Sequence, residues 1–233
     1  MNYIIENETD EQKLNHYVKF SFYITYVLLL TTGTITFIEA LRTNDIKVRH
    51  ILNLETCISV IAGYFYSTFI TKVTETYNKN QDFDWVELTK TRYIDWAITT
   101  PLMLLVLTLF FSHNMNIDVK ASVIVPIIIF NYLMLLVGYL GVSNIISKTA
   151  GLVGGFFFFS LIFYILYRNY LQPKYILSNY ILFIAYIIIW SLYGFFYMLD
   201  EQYKNIGMNI LDLLAKCFVG LGLWGYYAKI IVS

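Results

Sequence analysis

Charge is scarce in this chain of 233 residues: Asp, Glu, Lys and Arg make up 14% of it, against 58% hydrophobic residues. Soluble domains carry about 25% charged residues, so an ordinary water-soluble globule is excluded and a membrane protein is indicated. Proline (3), histidine (3) and cysteine (2) are also sparse. Cys57 and Cys217 lie inside apolar segments, which argues against a disulfide framework or a zinc site and gives no metal to expect. The formal net charge is zero and no Lys/Arg cluster is present, which argues against nucleic acid or an anionic lipid surface as a partner. The first sixteen residues are acidic, with Glu6, Glu8, Asp10 and Glu11, and lack the basic start and cleavage pattern of a removable signal peptide.

What the chain has in abundance is long apolar stretches, near residues 17–41, 50–72, 88–112, 120–143, 146–170, 174–199 and 204–231. Each reaches the ~20 residues that a helix needs to cross a bilayer. Continuous runs such as Val125 to Leu136 lack the alternation of barrel strands, so the spans read as helices. The expected fold is an all-α membrane protein, a seven-transmembrane-helix bundle making one domain over residues 1–233 in a lipid bilayer. Residues 1–16 form a terminal segment and the polar stretch 73–87 the longest loop. Basic residues are tied at seven on each side, but the tight 42–49 loop, with Arg42, Lys47 and Arg49, favours its side as cytoplasmic. That choice puts residues 1–16 and 73–87 outside, where Asn7-Glu8-Thr9 is a glycosylation sequon.

Six ionisable groups remain within the spans: Glu39, Glu55, Arg92, Asp95, Asp212 and Lys216. Each costs at least ~2.5 kcal/mol in hydrocarbon, so such a group is a functional candidate by default. Arg92, Asp95 and Thr99 stand at i, i+3 and i+7 on the third span, and Asp212 and Lys216 at i and i+4 on the seventh. Two carboxylates can therefore face one lysine. On spacing alone, a buried ion cluster that merely joins helices stays open beside a functional centre.

The stretch Arg92-Tyr93-Ile94-Asp95-Trp96-Ala97-Ile98-Thr99-Thr100-Pro101-Leu102 closely resembles the third-helix signature of microbial (type 1) rhodopsins. Leu211-Asp212-Leu213-Leu214-Ala215-Lys216 resembles their seventh-helix signature. The match covers the chain, and Trp190-Ser191-Leu192-Tyr193 on the sixth span resembles the aromatic pair beside the chromophore. The resemblance implies all-trans retinal in Schiff-base linkage to Lys216, with Asp95 as primary counterion and proton acceptor and Asp212 as second counterion. Arg92 would lie on the extracellular side, Thr99 would hydrogen-bond Asp95, and Tyr66 would support Asp212. Trp96, Thr100, Trp190 and Tyr193 would line the pocket, with Met103, Met134 and Gly138 shaping its ring end; Met103 suggests green absorption. Aromatic residues at such spacing also serve plain packing.

Archaeal proton pumps carry a second carboxylate eleven residues after the acceptor, where this chain has Val106. Glu55 offers a replacement. Glu55, Ser59, Ala62 and Tyr66 fall on one helical face of the second span, and an acid in apolar surroundings can hold a proton until a neighbouring base needs it. This arrangement resembles the giant-virus rhodopsins, especially their second group, in which a second-helix glutamate is assigned the donor role. Glu39 and Arg42, one turn apart, also resemble that group, whose first-helix arginines ring an oligomer axis. A homo-oligomer, pentamer or trimer, and a membrane of an infected protist cell are thereby implied.

The expectation is a light-driven outward proton pump, passing a proton from the Lys216 nitrogen to Asp95 and refilling it from Glu55. A light-gated ion channel is the alternative, favoured by the polar stripe Lys204, Asn205, Asn209 and Asp212. Against it stand Ala62, Cys217 and the Thr100 and Asn131 pair, where channels carry other residues. A photosensory receptor is the third reading; none of the three is an enzyme.

Overall fold

The computed structural model describes residues 10–78 and 83–230. The sequon at Asn7 and most of the 1–16 segment lie outside the described residues. Seven rod-like helices account for nearly all that is described: α1 (Asp10–Arg42), α2 (Ile46–Asn78), α3 (Trp85–Met115), α4 (Ala121–Val142), α5 (Lys148–Leu171), α6 (Leu177–Tyr197) and α7 (Glu201–Tyr227). Ile, Val, Phe and Tyr are mediocre helix formers in water, yet in hydrocarbon each backbone amide must find its partner within its own segment, and that requirement overrides propensity.

All seven expected spans are present as helices, with shifted ends. The clearest correction concerns the 73–87 loop: α2 continues through Asn78 and α3 begins at Trp85. The last turns of α2 are polar because they extend past the apolar stretch, and hydropathy marks where hydrocarbon would end rather than where hydrogen bonding ends. Likewise α1 starts at Asp10, inside the expected terminal segment. Six of the helices are long and apolar enough to cross a membrane on composition alone. The other is α2, which carries Glu55 and several small or polar side chains along its inward face.

Consecutive helices pack against each other and α7 closes back on α1, making a ring. In the central apolar stretches of α3 and α7, 61% of residues are buried, against 17–33% for α1, α4, α5 and α6. These two helices are thus the inner staves, and they carry most of the buried ionisable groups. Outward faces present Leu, Ile, Val and Phe, including Leu41, Val60, Val153 and Ile188, as a lipid-facing surface requires.

Two local departures from α geometry matter to the site. Pro101 within α3 has no amide hydrogen to give the preceding turn. Midway along α7, Leu213–Phe218 is wound as a π-helical turn between Glu201–Asp212 and Val219–Tyr227. Such bulges tend to mark functional positions, and this one contains Lys216.

Candidate functional site

At the centre of the bundle, Nζ of Lys216 lies 2.8 Å from Oδ2 of Asp95 and 3.4 Å from Oδ2 of Asp212. All three side chains are essentially inaccessible to solvent. One turn before Asp95 on α3, Arg92 is also fully buried, with Nη1 3.5 Å from Oδ2 of Asp212. Two cations and two anions therefore balance to zero, the condition under which buried ions are tolerated.

Hydrogen bonds hold each member in place. Tyr193 donates to Oδ1 of Asp212 at 2.6 Å. The Tyr66 hydroxyl lies 2.9 Å from Oδ2 of Asp212 and 3.1 Å from Oδ1 of Asn209, and accepts from Nη1 of Arg92 at 3.1 Å. A phenol has one proton to give. Because Oδ1 of Asn209 already takes Nη2 of Arg92 at 2.7 Å, the proton belongs to Asp212. Asn205 accepts from the same Nη2 at 3.2 Å, and Asn209 donates to Ser21 on α1 at 2.8 Å. The guanidinium is also walled by Phe22, Tyr66 and Phe69, with ring centroids 5.6, 5.6 and 5.2 Å from Cζ, within cation–π range.

Beside Lys216 lies a cavity of about 130 Å3. Trp96, Thr100, Met103, Met134, Gly138, Trp190 and Tyr193 line it, together with Asp212 and Lys216. These are the expected pocket residues; Tyr66 stands instead outside the lining, beneath Asp212. Trp96 and Tyr193 meet edge to face, centroids 5.4 Å apart. A β-carbon on Gly138 would stand 2.7 Å from the Tyr93 hydroxyl, so only glycine leaves that part of the wall open. The pocket is an apolar slot with one amine at its polar end, which fits an elongated apolar aldehyde. Oδ1 of Asp95 is buried with no hydrogen-bond partner among the described residues, an acceptor free for a group at the lysine nitrogen.

The sequence profile of bacteriorhodopsin-like proteins matches residues 16–230. The chain belongs to that family. It is a microbial rhodopsin, a multi-pass integral membrane protein, and its cofactor is retinal, which the family binds through a Schiff base to a lysine. The viral rhodopsin OLPVRII is 49% identical, with a TM-score of 0.85 covering 92% of this chain and 99% of its own. A proton-pumping rhodopsin from the marine alga Acetabularia acetabulum is 20% identical, with a TM-score of 0.73 covering 96% and 97% of the two chains. Xanthorhodopsin, a light-driven ion pump with dual chromophore, is also 20% identical, with a TM-score of 0.75 covering 93% and 94%; at such identities the likeness is one of fold. No curated protein matches the chain.

One expected contact of this rhodopsin is made at a different atom. Thr99 donates to the backbone carbonyl of Asp95 at 2.9 Å rather than to its carboxylate, because a helical hydroxyl four residues on reaches the carbonyl first. Thr100 does the same to Trp96 and accepts from Asn131 at 2.9 Å, tying α3 to α4. Glu55 makes no ion pair with Lys216 among the described residues. It is buried toward the Arg42 end of the bundle, where a β-carbon on Gly220, one turn past Lys216, would meet its Oε2 at 3.0 Å and Thr32 at 2.9 Å. Spacing did identify its face: Glu55, Ser59, Ala62 and Tyr66 are all buried.

The sequence reading missed the α5 wall of the pocket, Gly151, Leu152, Gly155, Phe156 and Phe159, and also Tyr197 and Met208. The glycines at 151, 154 and 155 were the available signal. It missed Phe22 and Phe69 around Arg92 as well, since aromatic residues facing a cation across helices leave no trace in spacing along one helix.

Proposed function

We propose that this rhodopsin is a light-driven outward proton pump. The observation that carries the reading is one buried acid on either side of Lys216. Asp95 touches its nitrogen, while Glu55 is buried toward the opposite end, against Gly220, which lies one turn past Lys216 on α7.

Retinal, when bound, supplies the light absorption and change of shape that drive the cycle. The protein's own residues then act in order. Asp95, at 2.8 Å, takes the proton held at the Lys216 nitrogen. Asp212 stays anionic, fixed by Tyr66, Tyr193 and Arg92, and keeps the site electrically balanced. Glu55 returns a proton to the Lys216 nitrogen from the cytoplasmic side, as a buried general acid does. Thr99 holds the α3 backbone beneath Asp95, and the aromatic walls keep water from short-circuiting the two sides.

The stripe Lys204, Asn205, Asn209 and Asp212 is fully buried, and its amides are engaged with Arg92, Ser21 and Glu201. A tied stripe of this kind supports the pump over a light-gated channel. In this reading the Asp10 end of the bundle is extracellular and the Arg42 end cytoplasmic. Glu39 and Arg42 form an ion pair of 3.7 Å there, with Arg42 largely exposed, which supports assembly into a homo-oligomer, a pentamer or trimer. The target membrane in this reading is that of an infected protist cell.

Photocurrent against voltage in retinal-supplied cells tests the reading. Outward current without reversal is expected; a current that reverses near an ion's equilibrium potential would establish the channel instead. In Glu55→Gln, return of the proton to Lys216 should slow by about 100-fold, the lower range for loss of a positioned general acid. Unchanged recovery would remove Glu55 from the mechanism.

A further inference from the structure

One buried cation has no part in the steps above. Lys204, one turn inside the start of α7, is completely buried. Its ammonium is paired with Oε1 of Glu201, whose Oε2 accepts from Thr89 of α3 at 3.1 Å. Asn205 connects this pair to the site: its amide donates to the Glu201 carbonyl at 2.8 Å and its Oδ1 accepts from Arg92. The polar contacts thus run from Lys216, which also holds Asp95, through Asp212, Arg92 and Asn205 to the backbone of Glu201, whose side chain is partly exposed. The other cations whose fields reach Lys204 are Arg92 on α3 and Lys148 on α5.

We propose that Lys204 is the proton-release group, and that its proton leaves the protein through Glu201. This rests on the pump reading. Glu201 accepts from Lys204 at Oε1 and from Thr89 at Oε2, and the labile proton in the first contact is on the Lys204 nitrogen. When the Lys216 nitrogen protonates Asp95, positive charge moves onto the carboxyl one turn from Arg92, and the potential at Lys204 rises. The N–H bond of Lys204 then breaks, the proton passes to Oε1 of Glu201, and Glu201 gives it to bulk water. Lys204, left as the neutral amine, regains a proton from Asp95 when the site resets. One proton leaves and one is restored, and no other reactant is required.

Arginine separates a group that releases a proton from one that merely supplies charge, because a guanidinium does not deprotonate in proteins. With a pH-sensitive dye after a flash, the unmodified protein should release its proton before it takes one up. In Lys204→Arg, release should come after uptake, at least about tenfold later, which corresponds to ~1.4 kcal/mol on the release barrier, while steady outward pumping continues. Infrared difference spectra with 15N-lysine should show loss of an ammonium band at the release step, absent in Lys204→Arg. If Lys204→Arg fails to take up retinal, the neutral double variant Lys204→Met/Glu201→Gln is expected to show the same delay. Early release persisting in either variant, or release after uptake in the unmodified protein, overturns the assignment and leaves the pump intact. Absence of any outward proton movement under continuous light defeats the pump reading itself.

Discussion

Replacing Tyr66 by Phe removes one oxygen from the most connected hydroxyl in the site and keeps the ring. Asp212 would lose a donor at 2.9 Å and Arg92 an acceptor at 3.1 Å. A buried hydrogen bond to a charged group contributes about 1.5–3 kcal/mol. Two are lost, but both ions keep other partners: Asp212 retains Tyr193 at 2.6 Å, and Arg92 retains Asn209 and Asn205. The net cost should therefore stay near the value for one bond, ~2 kcal/mol. For a domain of this size, ~2–4 °C per kcal/mol converts this into a loss of ~4–8 °C. Tyr66→Leu would also remove the ring stacked 5.6 Å from the Arg92 carbon, adding about 1 kcal/mol of cation–π attraction to the packing loss. The assay is loss of the visible retinal band on heating in detergent or lipid. Tyr66→Phe within 1 °C of the unmodified protein, a margin set well below the ~4 °C floor, would refute the network; equal losses for Phe and Leu would refute the role of the ring.

Two further outcomes follow from local geometry. In Gly138→Ala the new methyl group meets the Tyr93 hydroxyl at 2.7 Å, so the pocket should narrow, with ~1–3 kcal/mol of overpacking, seen as slower retinal uptake and a shifted absorption maximum; unchanged uptake and colour would mean that this wall yields freely. At the Arg42 end, Asp45 caps α2 through the Lys47 and Val48 amides at 2.8 and 3.2 Å and meets Nε2 of His113 at 3.2 Å. Partial burial alone would push its carboxyl up, but the His113 contact and the two amide bonds hold it below the usual carboxylate range. A lowered folded value means that Asp45 stabilises the fold above its unfolded pKa of about 3.9, and that this contribution is lost as pH falls through the folded value. Asp45→Asn should flatten the acid limb of thermal stability against pH and leave the limb above neutrality in place; identical acid limbs would remove Asp45 from that role.

Those residues also show what could be read without coordinates. Arg92, Asp95, Asp212 and Lys216 were legible because ions in hydrocarbon are rare and their spacing puts them on facing stripes. Glu55 came from the same argument applied to α2, whereas Tyr66 was legible only through the family resemblance. Gly138 was named as a pocket residue, but the atom that gives it its importance, the Tyr93 hydroxyl, belongs to another helix. The π turn around Lys216 has no sequence signal of the kind a proline or capping residue gives. The end of α2 was placed too early because Glu75, Thr76 and Tyr77 read as loop once the apolar run had stopped, although their hydrogen bonds had not. Thr99 was assigned to the right residue and the wrong atom, a distinction set by a side chain's reach.

The pairing of charges within single helices bears on how the chain enters its membrane. Arg92 and Asp95 lie one turn apart on α3, and Asp212 and Lys216 lie one turn apart on α7. Each helix therefore brings its own neutralising partner and can cross the bilayer as an electrically balanced rod, before the other has been synthesised. Only when α7 docks, 121 residues after Asp95, does Lys216 reach the carboxylate of α3 and Arg92 that of α7. Assembly then adds pairs between helices while Lys216 keeps its contact with Asp212 within α7, and neither stave carries a naked charge through hydrocarbon.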